Sequence, residues 1–221
     1  MINFQRHAIS IIGCSLLSVA AGAQPEGLKA VDLGLTSGTL WASCNVGGES
    51  PEDYGDYYAW GETESKEVYG WDTYFDTENG GHDFLKYDAK PGRKKLIQGD
   101  DVATAVWGTK WCMPTGAQWK ELYEECRWTW TSDYNGSMVS GYVVSSKASG
   151  NKNSIFFPAG GHRNGIGLIF ICSCGLYWSS ELNPSYPGRA QSVVMRESFV
   201  SRNTSSMRYF GLSVRPVVRT K

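Results

Sequence analysis

Thr115-Gly116-Ala117-Gln118-Trp119-Lys120-Glu121-Leu122-Tyr123-Glu124-Glu125-Cys126 is the stretch on which the fold class turns. Thr115 and Gln118 have the spacing of a capping box, in which each side chain answers the other residue's backbone N–H. Trp119, Leu122, Tyr123 and Cys126 follow at i, i+3, i+4 and i+7, one apolar helical face, while Lys120, Glu121, Glu124 and Glu125 point away. A shorter helix precedes it: Asp100-Asp101 cap a turn in which Val102, Ala105 and Val106 share a face, ending by Gly108.

On both sides of these helices the apolar period drops to two. Upstream, Val31-Asp32-Leu33 and Thr39 to Val46 flank the turn Thr36-Ser37-Gly38, and Asp56 to Glu62 reads as a third strand. Downstream, Tyr142 to Ser146 and Ser154 to Phe157 read as a hairpin around Ser149-Gly150-Asn151. Tyr177 to Ser180, Gln191 to Met195 and Leu212 to Val218 follow, the last with Leu212, Val214, Pro216 and Val218 on one face. Residues 63–99 form a long polar loop punctuated by Asn79-Gly80-Gly81 and Lys90-Pro91-Gly92. Strands, two short helices, then many strands is an α+β order, with a mixed, mostly antiparallel set of strands. No internal repeat is visible, which argues against a solenoid.

The chain has 221 residues, a length for one domain with a real core. Its 21 Lys+Arg against 22 Asp+Glu argue against nucleic acid as a partner, because such binders carry a basic footprint. Nine Trp, twelve Tyr and eight Phe exclude a disordered chain, and 26 Gly suit a turn-rich one.

Arg6 and His7 precede an apolar run from Ala8 to Ala21, and Ala21-Gly22-Ala23 supplies small residues for cleavage before Gln24. Residues 1–23 are therefore expected to be a secretory signal peptide, which places the protein in the periplasm, at the cell surface or outside the cell. The alternative is a lipoprotein box, Ile11-Ile12-Gly13-Cys14, with a lipid anchor on Cys14. The run is too short to span a bilayer, and no later segment is a candidate span. Residues 24–29 read as a linker, 30–218 as the domain and 219–221 as a tail.

Without residues 1–23 the chain keeps 20 basic and 22 acidic residues, a net charge of −2, and Cys44, Cys112, Cys126, Cys172 and Cys174. An odd number of cysteines leaves at least one thiol unpaired, and the pairing of the rest stays open. Cys172 and Cys174 are poor mutual partners, since residues two apart on a strand sit near or beyond the separation a bridge tolerates.

Several stretches carry a family resemblance. They are Val31-Asp32-Leu33-Gly34-Leu35, Ser37-Gly38-Thr39-Leu40-Trp41-Ala42, Cys44-Asn45-Val46-Gly47 and Pro51-Glu52-Asp53-Tyr54-Gly55-Asp56-Tyr57-Tyr58-Ala59-Trp60-Gly61-Glu62. Then come Asp100-Asp101-Val102-Ala103-Thr104, Lys110-Trp111, Met113-Pro114-Thr115, Trp119 and Leu122. Ile155-Phe156-Phe157-Pro158-Ala159-Gly160-Gly161, Tyr177-Trp178-Ser179-Ser180 and Gly211-Leu212-Ser213-Val214-Arg215-Pro216-Val217 complete the set. In this order and spacing, over roughly residues 30–218, they resemble the Fibrobacter succinogenes major paralogous domain, common in secreted proteins of Bacteroidetes-type bacteria. The resemblance implies a C-type-lectin-like fold, distantly related to formylglycine-generating sulfatase-modifying domains, and no established activity. It also implies that Arg215 serves the fold. Cys112 departs from the pattern by standing where Arg is usual, and Cys172-Ser173-Cys174 by standing where Gly, Asn and Ser are commoner.

Little in the residues points to catalysis. No nucleophile elbow, no His-Glu-x-x-His and no phosphate-cradling loop is present. A formylglycine-generating-like, copper-dependent thiol oxidase using Cys172 and Cys174 is the enzymatic alternative, although their spacing differs from what the resemblance implies. His162, ten residues before Cys172, is read as a surface-turn residue beside an unrelated thiol. Residues 49–83 hold eleven carboxylates against Lys66 alone, in no EF-hand spacing, and read as a solvated acidic loop rather than a calcium site. No metal or cofactor is expected.

The last 36 residues reverse this charge, with six Arg and Lys221 against Glu197 alone, and these Arg either answer the acidic loop or meet a ligand. Trp71 with Tyr69 and Tyr74, and Trp128 with Trp130, are candidates for an exposed stacking platform. The sequence thus predicts a non-catalytic binding module for a glycan or protein ligand. Its expected surface is the loops Cys172 to Gly175, Glu181 to Arg189 and Ser201 to Tyr209, with Arg189, Arg202, Asn203, Arg208 and Tyr209 as ligand contacts. A structural subunit of a surface adhesin or filament is the further alternative.

Overall fold

The computed structural model describes residues 26–219. The expected signal peptide, the alternative lipid site Cys14, the first two linker residues and the last two tail residues lie outside the described residues. Twelve strands and two helices follow one another: β1 (Ala30–Asp32), β2 (Leu40–Ala42), α1 (Val102–Trp107), β3 (Trp111–Cys112), α2 (Gly116–Glu125), β4 (Cys126–Thr131), β5 (Gly141–Ser146), β6 (Ser154–Pro158), β7 (His162–Asn164), β8 (Gly167–Ile169), β9 (Cys174–Leu182), β10 (Arg189–Arg196), β11 (Phe199–Met207) and β12 (Val217–Val218). They form open sheets, β1-β2-β12-β3, β4-β5-β6 and β9-β10-β11, with β7 and β8 as a separate ribbon. Every pairing between these strands is antiparallel, so the molecule is α+β with mostly antiparallel strands.

Both helix starts follow the sequence reading. The Asp101 carboxylate accepts from the N–H groups of Ala103 and Thr104, and Gly108 closes α1 with φ +86°. The reciprocal Thr115–Gln118 box opens α2. Trp119, Leu122 and Cys126 are buried as the apolar face requires, but Tyr123 is exposed. Its ring carries the Arg202 guanidinium, 5.4 Å from the centroid, because β11 runs alongside that flank of the helix.

The expected hairpin is present, with Tyr142 opposite Phe157. Asp56 to Glu62 is not a strand. Tyr58 makes one isolated bridge to Leu212, although Tyr57, Tyr58, Ala59 and Trp60 are all buried. The Tyr58 and Trp60 N–H groups instead donate to the carbonyls of Leu212 and Arg208, where no strand ladder runs. Leu212 to Val218 is likewise strand only at β12. Both faces of this segment are buried, Ser213 and Arg215 included, because its backbone bonds go alternately to β9 and to residues 42–46. The largest error concerns Ser201 to Tyr209, expected as a ligand-binding loop. Most of it lies in β11, a nine-residue strand at the edge of its sheet. Its Ser, Arg, Asn and Thr content hides the strand from any hydrophobic alternation.

Trp41, Trp60, Trp111, Trp119 and Trp178 are all buried. Three of them knit the layers together through β9: Trp60 Nε1 donates to Ser179 O at 2.9 Å, Trp178 Nε1 to Tyr58 O at 2.7 Å and Trp119 Nε1 to Trp178 O at 3.2 Å. Arg215 is also buried. It donates to Asn45 Oδ1 and to the carbonyls of Ala42, Ser43 and Phe156, and so joins the two ends of the chain to β6. Burial lowers its pKa. These bonds satisfy the guanidinium without a carboxylate, a structural use of Arg.

Candidate functional site: an aromatic cleft beside the β9–β10 hairpin

The long segment after residue 63 turns back through two short 3₁₀ turns, Trp71–Thr73 and Asn79–Gly81. It lies against the loop joining β9 to β10, and between them runs a cleft of about 850 Å³. Trp71, Phe84 and Tyr186 give it aromatic walls, and His82, Asp83, Asp88 and Arg189 give it polar groups. Tyr186 is 65% exposed, while Trp71 and Phe84 are half-buried.

Trp71 is held on several sides. Its ring packs on Tyr209 at 4.7 Å between centroids, on Tyr74 at 5.7 Å and on Phe84 at 5.9 Å. Gly81 lies against the same ring with φ +89°, and a Cβ there would come within 2.5 Å of it. Only glycine fits both the conformation and the approach.

The opposite wall is a rigid turn. Asn183 Oδ1 accepts from the N–H groups of Ser185 and Tyr186, an Asx turn that fixes the loop from within. Arg189 N donates to Tyr186 O at 2.8 Å. The Arg189 guanidinium donates to Ser205 Oγ at 3.1 Å and Ser205 O at 2.6 Å, which sets its direction along the sheet edge. Asp83 Oδ2 accepts from Asn79 Nδ2. Asp88 faces Lys90 and Arg93, and the Lys90 N–H, followed by these charges, lowers its carboxyl pKa.

Beneath the cleft, Arg208 and Asp76 form an ion pair with no exposed side-chain surface. Arg208 also donates to Tyr74 Oη and to the carbonyls of Tyr87 and Pro187. Its guanidinium lies 4.5 Å from the Phe84 centroid and 5.0 Å from that of Trp60. Asp76 in turn accepts from the N–H groups of Lys86 and Tyr87. Burial drives the Tyr74 phenol well above its usual pKa, with the Arg208 charge opposing. Both cleft walls are thereby pinned to one charged centre.

The five residues expected as ligand contacts separate. Arg189 lines the cleft and Tyr209 backs it through Trp71. Arg208 is a correction: fully buried and spent on Asp76, it supports the cleft and is out of a ligand's reach. Arg202 faces α2, pairing with Glu124 at 3.0 Å, and Asn203 is exposed beside it on β11. Tyr69 and Tyr74, expected beside Trp71 on an exposed platform, are buried, and Trp128 and Trp130 are half-buried against Tyr142. The acidic loop is not merely solvated, since Asp76 is the buried counter-ion of Arg208. Phe84 and Tyr186 were missed. The signal for Tyr186 was an aromatic between Pro184 and Pro187 in a turn following Asn183.

The five described cysteines are free thiols. Cys172 is exposed with φ +63° and lies 3.4 Å from Tyr54 Oη, whereas Cys174 is buried in the core. Among the described residues no three His, Cys, Asp or Glu side chains gather as a metal-holding group, and no helix is long and apolar enough to cross a membrane. Compared with known proteins, the chain matches no family model, no curated protein and no solved structure.

Proposed function

We propose that this protein is an exported, non-catalytic binding module that holds a glycan in the aromatic cleft. The observation that carries the reading is the exposed Tyr186 ring lining one cleft together with Trp71, Phe84, Arg189 and Asp83. Sugar rings present apolar C–H faces and hydroxyl edges, which flat aromatic walls and a fixed guanidinium complement at little entropic cost. The proposal includes membership of the Fibrobacter succinogenes major paralogous domain family and a C-type-lectin-like arrangement. Support comes from the five motif tryptophans and Arg215, all of which serve as framework in the core. The different surroundings of Cys172 and Cys174 favour binding over thiol-oxidase chemistry.

The test is a glycan array probed with the purified protein and with Tyr186→Ala. Saturable binding lost in the variant supports the reading, and binding unchanged in the variant overturns it. One observation favours a second reading, a protein partner in a surface assembly: Phe170 and Ile171, which follow one another after β8, are both exposed, as is Ile166 in the turn between β7 and β8.

A further inference from the structure

A second cleft, of about 500 Å³, opens where β3 meets α2, and the aromatic cleft shares none of its lining residues. Its lining includes Lys95, Gln98, Asp101, Cys112, Gln118, Ser180 and Arg219.

The polar groups here divide into spent and unspent. Asp101, the one carboxylate lining the cleft, accepts from the N–H groups of Ala103, Thr104 and Met113. The N-terminus of α2 is also spent: Gly116 N–H donates to Glu181 Oε2, and Gln118 N–H to Thr115 Oγ1. Gln118 Oε1 is taken by the Thr115 N–H, which leaves its NH₂ group to donate. Arg219 uses Nε on Thr109 O and Nη2 on Thr104 Oγ1, and Nη1 stays unspent. Neither Lys95 nor Arg219 forms an ion pair with a described carboxylate, and both are exposed.

Ser180 supplies the independent sign of a ligand. It is 2% exposed, lines the cleft, and its Oγ has no hydrogen-bond partner. A buried hydroxyl left unsatisfied costs free energy that a bound polar group would recover. Two unpaired cations, an amide donor and an orphaned hydroxyl around a cleft too large for a simple ion describe a receptor for an organic anion that also carries hydroxyls.

The geometry points to a sugar-acid site: a hydroxylated carboxylate bound by Lys95 and Arg219 at the rim, with a ligand hydroxyl or carboxylate oxygen reaching Ser180. Cys112, half-buried in the same lining, reports occupancy, because a bound ligand shields its thiol. The test measures maleimide labelling of Cys112, mapped by peptide mass, in the purified protein with D-glucuronate, D-glucose, acetate or inorganic phosphate. Glucuronate is expected to slow Cys112 labelling saturably, leave Cys172 labelling unchanged, and outcompete the other three. Lys95→Gln is expected to weaken glucuronate about tenfold, the loss of one charge-assisted contact. Ser180→Ala is expected to weaken it with the thermal midpoint of the free protein unchanged or raised, since the unsatisfied hydroxyl is removed, and Tyr186→Ala to leave it unaltered, which separates this site from the aromatic cleft. Absence of saturable protection, equal protection by glucose, or tighter binding of phosphate overturns the assignment.

Discussion

The Arg208 guanidinium donates to the carboxylate of Asp76, 132 residues earlier in the chain, and neither side chain has exposed surface. This pair is where the acidic segment and the basic C-terminal segment meet. It gives the aromatic cleft a fixed floor, since the same guanidinium holds the Tyr87 and Pro187 carbonyls behind the two walls.

Arg208→Met is expected to destabilise the protein by about 3–5 kcal/mol, because it strands a buried carboxylate. Arg208→Met combined with Asp76→Leu is expected to recover most of that loss. Urea denaturation of the two single variants and the double variant measures the coupling. A double variant as unstable as the sum of the singles would mean that the charges act independently.

Tyr186→Ala is expected to change stability by less than about 0.5 kcal/mol, since the ring lies mostly in solvent. On the proposed function, its affinity for an array-identified glycan falls about tenfold or more, the scale of an aromatic anchor. Titration calorimetry beside a thermal melt separates the two effects.

Acid should weaken the fold through His162. Burial lowers its pKa below the ordinary 6.5, and its Nδ1 has no hydrogen-bond partner. The unfolded chain then binds the proton more readily than the folded one, so stability is full above about pH 6.5 and declines as pH falls toward the depressed folded value. Thermal midpoints measured between about pH 7.5 and pH 5 should drop less in His162→Phe than in the parent. Equal slopes would exclude His162 as a source.

Thiol accessibility should be graded. Cys172 is exposed, Cys112 half-buried, and Cys44, Cys126 and Cys174 buried. Burial raises the pKa of Cys126 to about 11 and also raises those of Cys44, Cys112 and Cys174. A chromogenic disulfide reagent should therefore react first with one thiol and reach the buried three only on unfolding. Loss of the fast phase in Cys172→Ser identifies it, and its persistence would contradict the assignment.

Features that depend on near neighbours along the chain could be read directly from the residues. Asp101 and the Thr115–Gln118 pair set both helix starts, because a cap acts within three residues of itself. Tyr142 to Phe157 set a hairpin, because one turn fixes its register. The resemblance implied that Arg215 serves the fold, and the structure buries it. The rest depends on contacts between distant parts of the chain. Polar alternation hid β11 until β10 gave its backbone a ladder, and Asp56 to Glu62 found no such ladder despite an aromatic pattern. Arg189 and Arg208 look equivalent in sequence, yet one borders a cleft and the other is sealed beneath it. Only the approach of Asp76, across most of the chain, separates them, and no local pattern encodes which distant carboxylate a guanidinium will meet.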